Sequence, residues 1–487
     1  MMHLHNPSLA SWHILVLALL GTVFSTSTAY SIDDEEAKWV AGLGGKVARD
    51  EKQEGQPILA IDLRATVVSD ASVAKLTGLK NLKSLNLSMT LVSDSGLKRL
   101  TPLKTLEHLD LSNTPVTDTG LKELTSFKNL NSLHLKGTQI SDRTLVVLNK
   151  AGLLHALTNA QAQDGKRPVR ADDVLSLDLR STRVVGTGLK ELASLKNLQT
   201  LELDSPQITD GALKALREVG LLHVLARAQA KDAKRPTAAA EVVLLDLQFT
   251  PVTGAGLQEV ANLTNLESLD LFGTKVTVAG LKELASLKNL HTLVLGGGSF
   301  ADGALKELAE LESLQSLRLY DRKVTDAELA DVSRLKNLRS LDLSYTSVTD
   351  AGCKRFAELA NLQSLNLSYT KVTGMGLKEL ASLKNLQALY LDRTGITDAG
   401  LLEVVELKNL VRLDLVGAAV TDAGARELVR LKNLQALNMN STSITDAGLK
   451  ELSRLPNLKV IHLASTQVTD PGVQRLLISL PKCKLYR

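Results

Sequence analysis

Residues 338–385 read LRSLDLSYTSVTDAGCKRFAELAN and then LQSLNLSYTKVTGMGLKELASLKN, two copies of one 24-residue sentence. Sixteen such units fill the chain, beginning at residues 58, 82, 106, 130, 174, 198 and 242 and then every 24 residues to 458. With Leu338 as position 1, the leucines at positions 4 and 6 (Leu341, Leu343) flank a polar Asp342. Period-two alternation over a short run predicts a half-buried strand. Position 11 is apolar in all sixteen units, and positions 16, 19 and 22 (Leu377, Leu380, Leu383) recur at spacing three, the inner stripe of a short helix. Thr-Asp ahead of that stripe predicts an N-cap, with Asp at position 13 in twelve of the sixteen units. Asn at position 24 (Asn337, Asn385, Asn433) predicts a left-handed residue turning into the next strand. Each unit is one strand and one helix and buries too little alone. Stacked, the leucines make one continuous core under a parallel sheet, an α/β solenoid.

A repeat array lengthens without starting a new core, so 487 residues need not mean several domains. Lys+Arg 57 against Asp+Glu 53 leaves +4, not the strongly basic face of a nucleic-acid binder. The two cysteines, Cys353 and Cys483, lie five units apart. At ~4.8 Å per strand they are too distant for a disulfide, which needs Cα atoms within about 7 Å. Chemistry is hard to find. The run Gly296 to Ala301 matches G-x-G-x-x-A but falls in phase with the repeat turn, with no surrounding βαβ unit. His108 and His134 stand in different columns of adjacent strands, which does not make a metal site. The expectation is a protein without catalytic residues, metal or cofactor.

Residues 12–24 (WHILVLALLGTVF) are a 13-residue apolar run followed by Ser27-Thr28-Ala29. That has the length of a signal-peptide core and is too short for a span of about 20 residues, although no Lys or Arg precedes it. Residues 1–29 are therefore expected to be a signal peptide, placing the protein in the periplasm, on the cell surface or outside, with no membrane span after the leader. Residues 30–57 are expected to cap the first repeat, 58–480 to be the repeats, and 481–487 a C-terminal cap.

The phrase LxxLxLxxT followed by VTDAGLKELASLKN resembles the leucine-rich repeat over residues 58–480. The [VI]TDxGL wording resembles the F-box-associated subclass, with Thr where that subclass carries Cys, and secreted bacterial proteins with the same phrasing. The resemblance implies a right-handed solenoid with a parallel concave sheet and short convex helices. It also implies that the Thr at position 9, present in twelve units, bonds the turn after the strand. Two units, 130–173 and 198–241, run 44 residues instead of 24. Their extra segments match, so residues 130–197 and 198–265 look like a duplicated block. Each insertion is expected to lengthen the helix and then pass through a Lys-Arg-Pro loop (Lys166-Arg167-Pro168, Lys234-Arg235-Pro236) to the next strand. Those loops suit a second, basic docking edge or mere decoration.

In such a repeat, positions 3, 5, 7 and 8 line the concave face. Position 5 is acidic in eight units, Asp342 among them, which suits a basic partner or a cation, or else a solvated consensus. The aromatics are sharper: Phe249, Phe272, Tyr320, Tyr345, Tyr369 and Tyr390 all take concave positions, with Arg318, Arg322, Arg393 and Arg412 close by in sequence. Exposed aromatics with arginines have the composition of a binding hot spot; the competing reading is rings stacked to stabilise the sheet. The Lys-Glu-rich helices read as a solvated outer face. The leading expectation is a non-enzymatic exported scaffold binding a protein ligand on the concave face. Recognition of a glycan or envelope polymer is the alternative. A ubiquitin-ligase substrate receptor is disfavoured, because residues 31–57 are too few for an F-box module.

Overall fold

The computed structural model describes residues 33–138, 140–297, 304–320 and 324–487. The expected signal peptide, Gly298 and Arg322 lie outside them, as does the Ser299 to Ala301 part of the glycine-rich run. The chain forms two compact units, one of residues up to Gln207 with Ala215–Ala226, the other of Ile208–Lys214 with Arg227–Arg487.

In the first unit, a helix at Asp34–Gly42 leads into β1 (Lys46–Arg49), which runs antiparallel to β2 (Ile58–Asp62). The Ile58 N–H donates to Asp33 Oδ2 at 2.8 Å, and Arg49 pairs with Asp34 at 2.8 Å. Then β3 (Ser84–Asn86), β4 (His108–Asp110) and β5 (Ser132–His134) add in parallel. There the ladder breaks. The insertion does lengthen the helix, Asp142–Ala151, which ends on left-handed Gly152. It does not then loop directly to the next strand. It returns to the sheet, where Leu157 bridges Leu133 and β6 (Ala160–Gln161) runs antiparallel to β7 (Ser176–Asp178), followed by parallel β8 (Thr200–Glu202). The expected continuous parallel sheet is thus two sheets, of five and three strands. In the second unit β9 (Ala228–Gln229) is antiparallel to β10 (Leu244–Asp246), and ten parallel strands follow in one twelve-stranded sheet ending at Lys484–Tyr486.

Strand register repeats the sequence register: Leu341 pairs with Leu365, and Asp342 with Asn366. Leu341, Leu343, Val348, Cys353 and Phe356 are all buried. Each such side chain contributes roughly 1.5–3 kcal/mol of burial. Burial pushes the Cys353 thiol up to about 12, helped by Asp350 and Asp326, so it stays protonated and inert. Both cysteines are free. All twelve position-9 threonines donate their hydroxyl to the carbonyl three residues earlier, as Thr346 Oγ1 does to Leu343 at 2.6 Å.

Two expectations about the turns need correction. The helix cap is the threonine, not the aspartate: Thr349 Oγ1 accepts the Ala351 N–H at 3.2 Å. The aspartate instead joins neighbouring units. Asp326 accepts the Thr349 N–H at 2.8 Å and the Thr349 hydroxyl at 2.6 Å, and Asp422 holds Thr445 in the same way. The glycine two places after the aspartate makes room. A Cβ on Gly352 would lie 2.3 Å from Asp326 Oδ1, and one on Gly448 2.4 Å from Asp422 Oδ1. The phrase T-D-x-G is therefore one device shared by two units. Where Gly replaces the Asp, as at Gly374, the backbone packs against Gly400 and the next cap, Thr397, makes no side-chain bond. The second correction concerns Asn at position 24, which is not left-handed. Its amide reaches back 25 residues: Asn385 Nδ2 donates to the Ala360 carbonyl at 2.9 Å, and Asn361 to that of Lys336 at 3.0 Å.

Candidate functional site

The left-handed residue is at position 8, directly after the strand. Ala65, Met89, Asn113, Ser181, Phe249, Tyr345, Tyr369, Arg393, Ser441 and Ser465 all have positive φ there, and Gly137, Gly273, Gly297 and Gly417 occupy the same column. The turn needs it because the position-8 N–H donates to the next unit, Tyr345 to the Ser368 carbonyl at 3.0 Å and Tyr369 to that of Asp392 at 2.8 Å. For a residue with a Cβ this conformation costs roughly 1–2 kcal/mol, and a bulky side chain there is an outlier. Four of the nominated contact residues, Phe249, Tyr345, Tyr369 and Arg393, stand at this strained position with φ of 58°, 61°, 59° and 53°.

These nominated residues resolve into three groups. In the first, Phe272 meets Phe249 edge-on at 5.3 Å and Tyr320 at 5.9 Å, and Tyr320 Oη donates to Asp342 Oδ2 at 3.2 Å. Burial raises the Tyr320 phenol, and Asp342 raises it further. Arg318 is exposed and lies in register beside Asp342. In the second, Tyr345 and Tyr369 stack at 4.4 Å and 11°, each about half exposed at 49% and 45%. In the third, the Arg412 guanidinium lies 5.2 Å from the Tyr390 ring and pairs with Asp414 at 2.9 Å. Arg393 extends over Gly417, whose Cβ would fall 2.9 Å from Arg393 Cδ. Phe249 covers Gly273 in the same manner, at 2.8 Å.

The acidic column at position 5 has structural work. Asp62, Asp110, Asp178, Asp246, Asp270 and Asp342 each accept the N–H two residues on, as Asp342 Oδ1 does from Ser344 at 2.9 Å. Asn366 does the same for Ser368, which explains why Asp and Asn alternate there. Arginines pair with Asp62, Asp178, Asp246 and Asp414. Burial, with Asp246 near, holds the Asp270 carboxyl above its usual range. Among the described residues no cluster of three or more His, Cys, Asp or Glu could hold a metal, and no helix is long and apolar enough to cross a membrane.

The first unit holds a feature that residue types alone did not reveal: a groove of about 960 Å³ at the break in its ladder. Its walls include Met89, His134, Lys136, Asn159, Arg180 and Asp204. Burial lowers the imidazoles of His108 and His134, and the Arg167 guanidinium lies within electrostatic reach of both. Its sequence signal lies in the lengthened repeats.

Family profiles agree with the geometry. One described as a leucine-rich repeat region matches residues 324–485, and one described as a leucine-rich repeat matches 103–124 and 262–285. No curated protein matches the sequence. Among solved structures, an internalin of Listeria monocytogenes is 17% identical with a TM-score of 0.38, covering 94% of each chain. A leucine-rich-repeat protein of Leptospira interrogans is 22% identical with a TM-score of 0.34, covering 85% of this chain and 98% of that one. A chain of the TLR13–ssRNA13 complex is 18% identical with a TM-score of 0.43, covering 84% of this chain and 64% of that one.

Proposed function

We propose that this leucine-rich-repeat solenoid is an exported, non-enzymatic scaffold that binds a protein partner on the sheet face of its second unit. The observation that carries the reading is the backbone strain under the aromatic residues. Tyr345 and Tyr369 hold the left-handed conformation that this column elsewhere gives to four glycines and to residues such as Ala65, Asn113, Ser181 and Ser441, yet each carries a bulky ring there and leaves about half its surface in solvent. Strain of this kind persists where the side chain is needed for something other than folding. Flanking Phe249, Phe272, Tyr320, Tyr390 and Arg412 supply the aromatic and arginine content of protein-binding hot spots. Export rests on residues 12–24 of the leader.

The test offers the protein without its leader to the exported fraction of the producing organism, beside the variant Tyr345→Ala/Tyr369→Ala. A partner held by the native face and released by the double variant is the expected result. Equal retention of every bound protein by both would remove the aromatic face from the reading. Recovery of the chain in the cytosol with residues 1–29 still attached would remove export.

A further inference from the structure

Between regular units, two main-chain bonds close the ladder beyond the strand. The position-6 N–H donates to the position-5 carbonyl of the next unit, and the position-8 N–H to its position-7 carbonyl. Leu111 thus donates to His134 at 2.9 Å, and Asn113 to Lys136 at 2.8 Å. At the break after β5, the corresponding donors are Leu135 and Gly137 and the corresponding acceptors are Asp178 and Arg180. The segment carrying Leu157 and β6 wedges between the two strands and separates them. Neither N–H then makes a hydrogen bond among the described residues, and the Arg180 carbonyl accepts none. Leu135 is 3% exposed, and Leu135, Gly137, Asp178 and Arg180 all line the groove. Gly137 and Arg180 are exposed, so water satisfies their groups until a partner replaces it, whereas a donor shut away from water costs free energy.

The duplicated block supplies a comparison. Its second copy has arginine at 227 where the first has Asn159, and Gln248 where the first has Arg180. In both, the backbone pairs alike: Asp178 N–H donates to Asn159, and Asp246 N–H to Arg227, each at 3.1 Å. Arg227, however, also turns its guanidinium onto the Gln248 carbonyl at 3.1 Å, filling the place of the missing donor. Asn159 is too short to do this for Arg180. At this acceptor the second copy is occupied and the first is open.

We propose that the open slot takes an extended peptide segment of a partner protein, added as a strand between Leu135 and Gly137 on one side and Asp178 and Arg180 on the other. Donors on one wall and acceptors on the other, each two residues apart, match the spacing of a β-strand, about 6.6 Å per two residues. A peptide lying parallel to β5 and β7 offers carbonyls to the first wall and N–H groups to the second, the main-chain mode of strand addition. The groove's volume of about 960 Å³ is near the upper end of the ~300–1,000 Å³ of ordinary ligand pockets. This slot is independent of the aromatic face in the second unit.

The experiment measures binding of a fluorescent seven-residue peptide, Ala-Thr-Val-Thr-Val-Thr-Ala, to the full chain by anisotropy, and amide exchange at Leu135 and Gly137. Asn159→Arg copies the plug from the second block and should weaken binding at least tenfold without lowering the melting temperature. A peptide N-methylated at alternate residues should lose binding to the native protein by a similar factor, a control that does not depend on any variant folding. Binding should slow exchange at Leu135 and Gly137, and Tyr345→Ala/Tyr369→Ala should bind as the native chain does. No binding, unchanged exchange at those two amides, full binding by Asn159→Arg, or loss of binding in the tyrosine variant would each overturn the slot.

Discussion

The T-D-x-G device predicts that one substitution changes sign with its background. In the native chain, Gly352→Ala places a methyl 2.3 Å from Asp326 Oδ1 and 2.8 Å from Leu329 Cδ1. The leucine methyl ends a rotatable chain and can give way, but the carboxylate is fixed by two bonds to Thr349. Displacing it forfeits hydrogen bonds to a charged acceptor, about 1.5–3 kcal/mol each before solvent screening. Because the site is only part-buried, we expect Gly352→Ala to cost about 2–3 kcal/mol in all. Asp326→Ala removes the same bonds and should cost about the same. In the Asp326→Ala background the obstacle is gone. There Gly352→Ala, at the third residue of the Asp350–Cys353 helix, recovers the ordinary alanine advantage of roughly 0.5–1 kcal/mol. Urea unfolding of the four proteins, compared at constant m-value, measures the cycle. If Gly352→Ala destabilises both backgrounds equally, the glycine serves something other than the carboxylate, and the device is wrong.

Four other outcomes follow from the geometry. Tyr345→Gly should be more stable than Tyr345→Ala by about 0.5–1 kcal/mol in urea unfolding, since glycine relieves the left-handed strain at φ 61° while both lose the stack on Tyr369. Leu343→Ala, a buried truncation beside the same turn, should cost about 2–5 kcal/mol, far more than either. Asn385→Ala should cost about 1 kcal/mol and speed exchange near Ala360, by loss of the 2.9 Å bond to that carbonyl. His134 is held below its ordinary 6.5 chiefly by burial, opposed by Asp110 and reinforced by Arg167 and His108. The unfolded chain therefore takes up its proton first as pH falls, and stability present above pH 6.5 is lost as pH drops through the folded pKa. A proton-NMR titration should place the His134 midpoint below 6.5, and His134→Gln should flatten that part of the stability profile.

What could be read from the sequence was whatever repeats with a fixed period. Leu341, Leu343 and Val348 announce strand and core because burial demands their spacing, and Thr346 announces its turn because every unit reuses it. The Thr-Asp pair announces the cap, which its threonine supplies, but not the bond of Asp326 to Thr349, 23 residues away, because only stacking brings the two together. Asn385 was misread for the same reason, its acceptor being 25 residues back. The strain under Tyr345 had one visible trace, the glycines at 137, 273, 297 and 417 in its column. The slot in the first unit left almost none, because main-chain donors carry no residue signature. Only the contrast of Asn159 with Arg227 between two matching segments hinted at it. The aromatic residues gather in one stretch of the sequence, but their division into three groups depends on ring contacts that spacing does not fix.

The carboxylate of Asp142 spans the first insertion, accepting the Gly186 N–H at 3.1 Å and the Gly188 N–H at 2.9 Å, 44 and 46 residues further on. Asp210 does the same for Thr253 across the second, 43 residues away. On the helix side the lengthened repeats are thus still joined to their neighbours, and beyond the lengthened helix the added chain returns to the strand side. A gene segment can grow there without disturbing the spacing of its flanks. Such a joint lets the array carry added chain while the repeats on either side keep their shared bonds.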